Sequence, residues 1–278
     1  MAVISSTLAN NTSISGVGGV YNAAVLTVIS STLSGNNSSA GAGGIYNSGV
    51  LTVSSSTVAS NQGISSGGIY NTATLVISGS TLFNNSGNNS GGGVFSSNTA
   101  SLMMIGSTVA GNRSNTSSGG GIASAGVATL VDSTISDNVA TPGGGGIYNT
   151  GALTTTTSLV VNNRASAVGG GLENSGRATV ENSTFFSNTA SVGGGIRNDQ
   201  ALTLTNSTVA GTTGGGGLNN SGTANLRNTI IANSTGGDCT NTGTLVANTN
   251  NLVADGTCSP AVSGNALLGT LGNYGGDT

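Results

Sequence analysis

Short stretches in which apolar and polar residues alternate recur along the whole chain. In one of them Leu26 and Val28 flank Thr27, and a few residues later Leu33 follows Thr32. Alternation of this kind is typical of half-buried β-strands, whereas a helix repeats about every 3.6 residues. The pattern predicts two short strands joined by a bend at positions 29 and 30, with Leu26, Val28 and Leu33 pointing inward and the two threonines outward.

The alternating stretches belong to a repeat of about 25 residues. Its first motif reads Leu-Thr-Val-x-x-Ser-Thr-Leu-x-x-Asn, and successive copies are 24 to 27 residues apart. A second motif, Gly-Gly-Ile-Tyr-Asn, alternates with the first. Most of the variation in length falls between the Asn of the first motif and the Gly-Gly of the second, which predicts a surface loop there. The second Thr of the first motif, or its replacement, is found at Thr7, Thr32, Thr57, Thr81, Thr108, Thr134, Leu159, Thr184 and Thr208.

A period of this length is the signature of a repeat architecture. The repeat predicts an all-β protein, a single-stranded right-handed parallel β-helix (β-solenoid) of about ten coils with three short strands per coil. One coil cannot bury its apolar face alone, so stability has to come from stacking on its neighbours. The Asn of the second motif predicts a column of stacked side-chain amides at one corner. This column comprises Asn22, Asn47, Asn71, Asn149, Asn174, Asn198 and Asn220.

The chain divides into a regular and an irregular part. Regular coils are expected over residues 1–235, and an irregular C-terminal coil over residues 236–278. The only two cysteines, Cys239 and Cys258, fall in the second part and predict one disulfide, which favours an oxidising compartment. The pattern is interrupted at both ends without a capping sequence, so we expect the chain to be a segment of a longer protein.

Composition narrows the classes of function. The 278 residues include 49 Gly and no His or Trp, and only 5% of them are charged, with a net charge of −3. Regularly spaced Val, Ile and Leu argue against disorder. With only five cations, nucleic-acid binding is not expected, and no apolar run is long enough for membrane insertion within this chain. Because there is no His and no Cys-x-x-Cys pair, neither a metal site nor a cofactor is expected.

Both motifs together resemble those of bacterial secreted, pectate-lyase-like β-helix repeat proteins. The resemblance is strongest to the polymorphic outer membrane proteins, which share paired Gly-Gly-Ala-Ile and Phe-x-x-Asn motifs. It implies a right-handed parallel β-helix, a location outside the cell or at its surface, and an adhesin-like role. The matching stretches are Gly44-Ile45-Tyr46-Asn47, Gly146-Ile147-Tyr148-Asn149, Leu33-Ser34-Gly35-Asn36, Val109-Ala110-Gly111-Asn112, Ile135-Ser136-Asp137-Asn138 and Phe185-Phe186-Ser187-Asn188. The tail, with Asp238-Cys239 and Asp255-Gly256-Thr257-Cys258, is similar to the closing segment of such proteins.

The acidic residues do not form a pattern typical of an active site. Asp132 and Asp137 lie on one coil across a bend, and Glu173 and Glu181 fall on different sides of another coil. Glycoside hydrolysis takes two convergent carboxylates, and a nucleophilic triad requires His. We therefore expect no catalytic residues and no enzyme activity. The remaining acids are Asp199, Asp238, Asp255 and Asp277.

Three outward-facing columns are candidates for surface chemistry. Glu173 and Arg197 occupy equivalent positions on successive coils, and a surface ion pair is favoured there over a polar binding spot. An aromatic column could stack on itself or on sugar rings; it consists of Tyr21, Tyr46, Tyr70 and Phe95. A threonine column resembles the arrays of ice-binding proteins, although Thr is also simply a good strand residue; it includes Thr32, Thr57, Thr81, Thr108 and Thr134.

The leading functional hypothesis is a non-catalytic, extracellular or cell-surface module of structural or adhesin-like type, which acts as a rigid rod or presentation surface. Its expected partners are cell-surface or matrix glycans, or other copies bound end to end. Two alternatives remain open. The first is a carbohydrate-binding or polysaccharide-active β-helix, and the second is an ice-binding solenoid that uses its Thr array.

Overall fold

A computed structural model describes residues 1–260, 262–269 and 271. Over these residues the chain folds as a parallel β-solenoid of about ten coils, and no helix is present in the described part. The predicted all-β parallel architecture is confirmed. The predicted number of strands per coil is wrong, because most coils contain four strands that stack into four parallel sheets.

Sheets A and B carry the first motif. Each contains eleven strands, and every strand pairs in parallel with the equivalent strand of the next coil. The strands of sheet A are Ala2–Ile4, Val25–Ile29, Val50–Ser54, Thr74–Ser78, Ser101–Ile105, Val127–Val131, Ala152–Thr156, Arg177–Glu181, Ala201–Thr205, Thr223–Arg227 and Thr244–Thr249. Those of sheet B are Thr7–Ala9, Thr32–Ser34, Thr57–Ala59, Thr81–Phe83, Thr108–Ala110, Thr134–Ser136, Leu159–Val161, Thr184–Phe186, Thr208–Ala210, Ile230–Ala232 and Leu252–Val253.

Sheets C and D complete each coil. The strands of sheet C are Thr12–Ser13, Asn37–Ser38, Gln62–Gly63, Ser86–Gly87, Arg113–Ser114, Val139–Ala140, Arg164–Ala165, Thr189–Ala190 and Thr213–Gly214. Those of sheet D are Val20–Asn22, Ile45–Asn47, Ile69–Asn71, Val94–Ser96, Ile122–Ser124, Ile147–Asn149, Leu172–Asn174, Ile196–Asn198, Leu218–Asn220 and Cys239–Asn241. Sheet C explains the miscount of strands. It occupies the start of the segment predicted as a loop, and two residues are too few to show an alternating pattern.

Side chains face the directions that the alternation predicts. Leu26, Val28 and Leu33 are buried, whereas Thr27 and Thr32 are half-buried on the outer surface. The bend between sheets A and B is made by one residue in the left-handed region, where short polar side chains and Gly are best tolerated. This residue is Ser5, Ser30, Ser55, Gly79, Gly106, Asp132, Thr157, Asn182, Asn206, Asn228 or Asn250 in successive coils.

The Gly-Gly of the second motif allows neighbouring coils to approach closely. A Cβ on Gly146 would lie 2.7 Å from the carbonyl oxygen of Gly171 and 3.0 Å from the side chain of Asn163. Contacts this short do not occur for real side chains, so only Gly fits immediately before the sheet D strand. The motif is therefore a requirement of coil stacking.

A ladder of buried Asn side chains follows sheet B. The Asn112 side-chain amide donates a hydrogen bond of 3.0 Å to Oδ1 of Asn138, and the backbone N–H of Asn112 donates to the same oxygen at 2.9 Å. The amide of Asn138 also donates to the carbonyl oxygen of Val109 at 2.9 Å. Each amide thus ties its coil to both neighbours, which satisfies polar groups that would otherwise be costly to bury. Its buried members are Asn36, Asn61, Asn85, Asn112, Asn138, Asn163 and Asn188.

The predicted Asn column is confirmed and lies at the last residue of the sheet D strands, but it is not continuous. Asn149 donates to Oδ1 of Asn174 at 2.8 Å, and Asn22 donates to Asn47 at 2.7 Å. Between these two runs Ser96 and Ser124 replace Asn. The hydroxyl of Ser124 is buried without a hydrogen-bond partner.

A third ladder, of buried Ser side chains, lies between sheets A and B. The hydroxyl of Ser133, for example, donates to the carbonyl oxygen of Val131 at 2.8 Å and accepts the backbone N–H of Ser107 at 3.3 Å. Three of the four corners of a coil therefore contain side chains that form hydrogen bonds from coil to coil.

No helix in the described part of the chain is long and apolar enough to cross a membrane.

Candidate functional site

The aromatic column on sheet D is stacked on itself. The ring centroids of Tyr21 and Tyr46 are 5.4 Å apart, and those of Tyr46 and Tyr70 are 5.2 Å apart, with interplanar angles of 16° and 9°. Phe95 follows Tyr70 at 4.7 Å in a tilted arrangement. Burial raises the pKa of Tyr70 above its ordinary value, and the neighbouring Tyr46 adds a smaller contribution in the same direction. These distances are typical of favourable aromatic pairs.

Self-stacking limits how sugar could meet this column. The faces of Tyr46 and Tyr70 are covered by neighbouring rings, which leaves mainly ring edges and hydroxyls at the surface. Sugar rings stack on aromatic faces, so contact over the middle of the column would require the rings to separate. The column ends where Ala123 follows Phe95 in register. Glycan contact at these residues stays a prediction.

The outward threonines of sheet B are in register. Thr32, Thr57, Thr81, Thr108 and Thr134 pair directly from coil to coil, and Leu159 continues the column. The next outward column contains Ala, Ser, Val and the two rings of Phe83 and Phe186. Sheet A carries a second run that sequence analysis did not identify as an array. It comprises Thr129, Thr154, Thr179 and Thr203.

A polar cluster occupies sheet D below the aromatic column. Tyr148, Glu173, Arg197 and Asn219 are aligned in register on four consecutive coils. The expected ion pair between Glu173 and Arg197 is wrong. A guanidinium nitrogen of Arg197 instead lies 2.5 Å from Oδ1 of Asp199, two residues further along the same outer surface. Arg197 also donates a hydrogen bond to the side chain of Asn219.

Glu173 occupies a notch that glycine opens. A Cβ on Gly143 would lie 2.1 Å from Oε2 of Glu173, so the carboxyl fills the space that a side chain would take. Oε2 is buried and has no hydrogen-bond partner among the residues that the structure describes. Burial raises the pKa of Glu173 from 4.5 to about 7; a hydrogen bond with Ser118 opposes the shift, Asp199 adds to it, and Arg197 opposes it. Burial and the charges of Glu173 and Asp199 also raise the pKa of Tyr148.

Asp132 and Asp137 lie away from this cluster. Asp132 and Asp137 are exposed at two different corners, in left-handed conformations with φ of 49° and 57°. Over the described residues no group of three or more Asp, Glu or Cys side chains is placed to hold a metal ion. Asp277 lies outside the described residues. The sequence did not identify Glu173 as unusual, because Gly143 and Ser118 are 30 and 55 residues away from it along the chain.

The C-terminal coil is held by a disulfide and by two carboxylates. Cys239 and Cys258 are bonded, with their Cα atoms 5.8 Å apart, as predicted. Asp238 accepts the backbone N–H of Asp255 at 3.0 Å, and Asp255 accepts that of Asp238 at 2.7 Å. Partial burial alone would raise the pKa of Asp255, but hydrogen bonds from Thr257 and from the Asp238 N–H lower it below the ordinary value. We name this arrangement of Asp238, Cys239, Asp255 and Cys258 the clasp.

Stacked coils, in-register side-chain ladders and the clasp define the class of this protein as a parallel β-solenoid repeat protein with one disulfide. Comparison with known proteins adds no closer relationship. The chain matches no family model, no curated protein and no solved structure.

Proposed function

We propose that the chain is a non-catalytic structural module of adhesin-like type, which works outside the cell or at its surface as a rigid support for its own outer faces. The observation that carries this proposal is the continuous parallel pairing of sheets A and B over eleven strands, with one register shift in the last pair of sheet A, reinforced by three side-chain ladders. Coils spaced by about 4.8 Å give a stack on the order of 50 Å long. Repetition fixes every outward residue relative to its neighbours, as presentation of a surface requires.

Two features support the location. A disulfide persists in oxidising compartments and is rare in the cytosol, and the clasp contains one between Cys239 and Cys258. The second feature is the resemblance of the paired motifs to pectate-lyase-like repeats of the polymorphic outer membrane type. We expect the ligands of this chain to be cell-surface or matrix glycans.

The proposal can be tested by adhesion under flow. Beads coated with the native chain should be retained on surfaces that carry matrix glycans, and beads coated with heat-unfolded chain should wash away. Equal retention of the two would contradict a role for the folded outer faces.

Catalysis is the rival that the polar cluster raises. A carboxyl group with a pKa near 7 is suited to general acid–base chemistry, and Glu173 is such a group. Its carboxyl is, however, turned into the Gly143 notch. We expect no new reducing ends when the chain is incubated with neutral and acidic polysaccharides. Activity that Glu173→Gln abolishes and Glu181→Gln retains would overturn the non-catalytic proposal.

Ice binding is a second candidate, favoured by the two in-register Thr columns on sheets A and B. Charged Arg177 and Glu181 interrupt the sheet A surface beside Thr179. A measurement of thermal hysteresis on the native chain tests ice binding, and an absence of hysteresis would exclude it. If hysteresis is present, Thr154→Tyr should abolish it, because a bulky side chain would disrupt the flat array.

A further inference from the structure

A groove on sheet C lies between two arginines. Arg113, Val139 and Arg164 are in register on three consecutive coils and point outward. The groove has a volume of about 320 Å³, and Ala140, Thr141 and Ser166 complete its lining. Two coil spacings separate the Arg113 and Arg164 backbones by about 9.6 Å. Both arginines thus border one space whose floor is the small, apolar Val139–Ala140 strand.

Among the described residues, no carboxylate pairs with the positive charge in this groove. No carboxylate lines it, and the one ion pair within the described part of the chain, Arg197–Asp199, is on sheet D. Arg113 uses its Nε to donate to Asn115 at 2.8 Å, which orients the side chain, and its two terminal nitrogens meet no acceptor in the described part of the chain. Asp137 is the acid nearest in sequence, and it is exposed at the preceding corner. Two of the five cations of an acidic chain are therefore gathered at one groove.

We propose that this groove binds a sulfate or phosphate monoester carried by a sugar polymer. The planar guanidinium of arginine recognises oxyanions through paired hydrogen bonds. A carboxylate has two oxygens, which one guanidinium can occupy, whereas a sulfate or phosphate monoester has three free oxygens that two guanidinium groups and a hydroxyl can share. The hydroxyls of Thr141 and Ser166 supply further polar contacts, and Val139 offers an apolar surface to the C–H groups of a sugar.

The surrounding strands disfavour an acidic peptide as the occupant. Peptides commonly bind β-proteins by adding a strand to an open edge. The Val139–Ala140 strand already pairs on both sides, with Arg113–Ser114 and with Arg164–Ala165. A peptide would therefore find no backbone ladder in the groove, whereas a sugar polymer needs none.

This inference deepens the proposed adhesive role, because it names the chemistry of a partner. The test compares binding of the full chain to immobilised heparin, to a dextran that carries phosphate monoesters, to alginate and to unmodified dextran, by surface plasmon resonance. Heparin offers sulfate, phosphorylated dextran offers phosphate, alginate offers only carboxylate, and unmodified dextran is neutral. We expect at least one of the first two to bind, alginate to bind more weakly, unmodified dextran not to bind, and binding to weaken as salt is added.

A matched pair of double variants assigns binding to the groove. R113Q/R164Q removes the groove cations, and R177Q/R227Q removes two exposed cations of sheet A, so each variant changes the net charge from −3 to −5. We expect the groove variant to bind at least about tenfold more weakly and the control variant to stay within about twofold of the native chain. Thr141→Val should weaken binding by a smaller factor. Circular dichroism confirms that each variant is folded.

Three outcomes would overturn the inference. They are equal losses in the two double variants, alginate binding as tightly as the esters, and no binding of the native chain to either ester polymer. Failure of the groove is distinguishable from failure of the adhesive role. If R113Q/R164Q beads are still retained under flow, the groove assignment falls and the adhesive role stands.

Discussion

The regular coils and the C-terminal coil reach order by different means. In the regular coils the corner after sheet B repeats Asn from coil to coil, so Asn138 has Asn112 and Asn163 as its neighbours on the two adjacent coils. Beyond Asn188 this ladder is lost, since Thr212 follows and its hydroxyl is buried without a partner. Sheet C ends at Gly214, and sheet A pairs with an irregularity beside Ala224. The clasp appears where the repetition stops.

The difference between the regular coils and the C-terminal coil shows that repeated side-chain ladders can hold coils together without a covalent link. A ladder residue is stabilised by identical neighbours, so the interaction lasts only while the sequence repeats. The C-terminal coil lacks those neighbours, and it is joined to the stack by one disulfide and two reciprocal carboxylate hydrogen bonds. The two regions should therefore respond differently to substitution and to reduction.

The largest effect is expected inside the regular stack. Asn138→Leu keeps the volume but leaves the buried N–H of Asn112 without a partner, and it removes the amide hydrogen bonds of Asn138 with the two neighbouring coils. An unsatisfied buried group costs about 1–3 kcal/mol and each lost hydrogen bond about 1 kcal/mol, so we expect a loss on the order of 4 kcal/mol in the free energy of unfolding. Asn241→Ala, at the exposed end of the other Asn column, removes the hydrogen bond from Asn220 and a long one to the carbonyl oxygen of Gly243. Because water can replace both at this exposed position, the change should cost less than about 1 kcal/mol. Urea denaturation measures both, and similar losses would contradict the role of the buried ladder.

Removal of the disulfide should have the next largest effect. Replacement of Cys239 and Cys258 by Ser opens a loop with a sequence separation of 19 residues, which releases about 3 kcal/mol of loop-closure entropy in the unfolded chain. We expect the C-terminal coil to melt in a separate, earlier transition, while the main transition of the stack moves little. Differential scanning calorimetry would contradict this expectation if a single transition shifted as a whole.

Glu173 should make the stability of the stack depend on pH. Its folded pKa of about 7 exceeds the ordinary 4.5, so the folded chain holds a proton that the unfolded chain has lost between these values. Stability should fall as the pH rises from 4.5 to 7 and then level off. With allowance for the exposed part of the side chain, the loss is about 1–2 kcal/mol.

Two variants isolate this effect from other titrations. Glu173→Gln should flatten the curve between pH 4.5 and 7 and be more stable than the native chain above it. Gly143→Ala should force the carboxyl out of its notch and flatten the curve as well. A native curve that rises over this range, or a Gln variant with an unchanged slope, would contradict the buried carboxyl.

The smallest effect concerns the aromatic column. Tyr70→Leu removes two ring contacts, to Tyr46 and Phe95. Because the rings are only partly buried, each contact should contribute about 0.5 kcal/mol, the lower end of the range for aromatic pairs. Tyr148→Leu, one coil beyond Ala123, removes no ring contact with its in-register neighbours. We expect a larger loss of thermal stability at Tyr70 than at Tyr148. Equal losses would indicate that the stacking contributes nothing beyond burial.

The repeat predicted the fold because its signal is periodic. The facing of Leu26 and Leu33 and the Asn column after sheet D follow from alternation and spacing alone. The buried ladder at Asn36 and its equivalents was visible only as the last residue of a motif, and its polar side chain did not mark it as core. Sheet C was too short to be detected.

The surface sites were harder to predict, because they depend on the register of loops that vary in length. The notch of Glu173 needs Gly143 one coil away, and the groove needs Arg113 and Arg164 on the same column. The ion pair predicted for Arg197 failed because Asp199, on its own coil, is the closer acceptor. The sequence thus predicted which residues are neighbours on adjacent coils. It did not predict which of these neighbours a long side chain contacts.

Hydrogen exchange with and without reductant tests the central claim, that ladders stabilise the stack and the clasp stabilises the C-terminal coil. Strand amides over residues 20–232 should exchange slowly in both conditions. Residues 236–260 should exchange more quickly, and reduction of Cys239–Cys258 should make them faster still without any change in the stack. If reduction accelerates exchange throughout the chain, or changes nothing in residues 236–260, the division between ladder and clasp is contradicted.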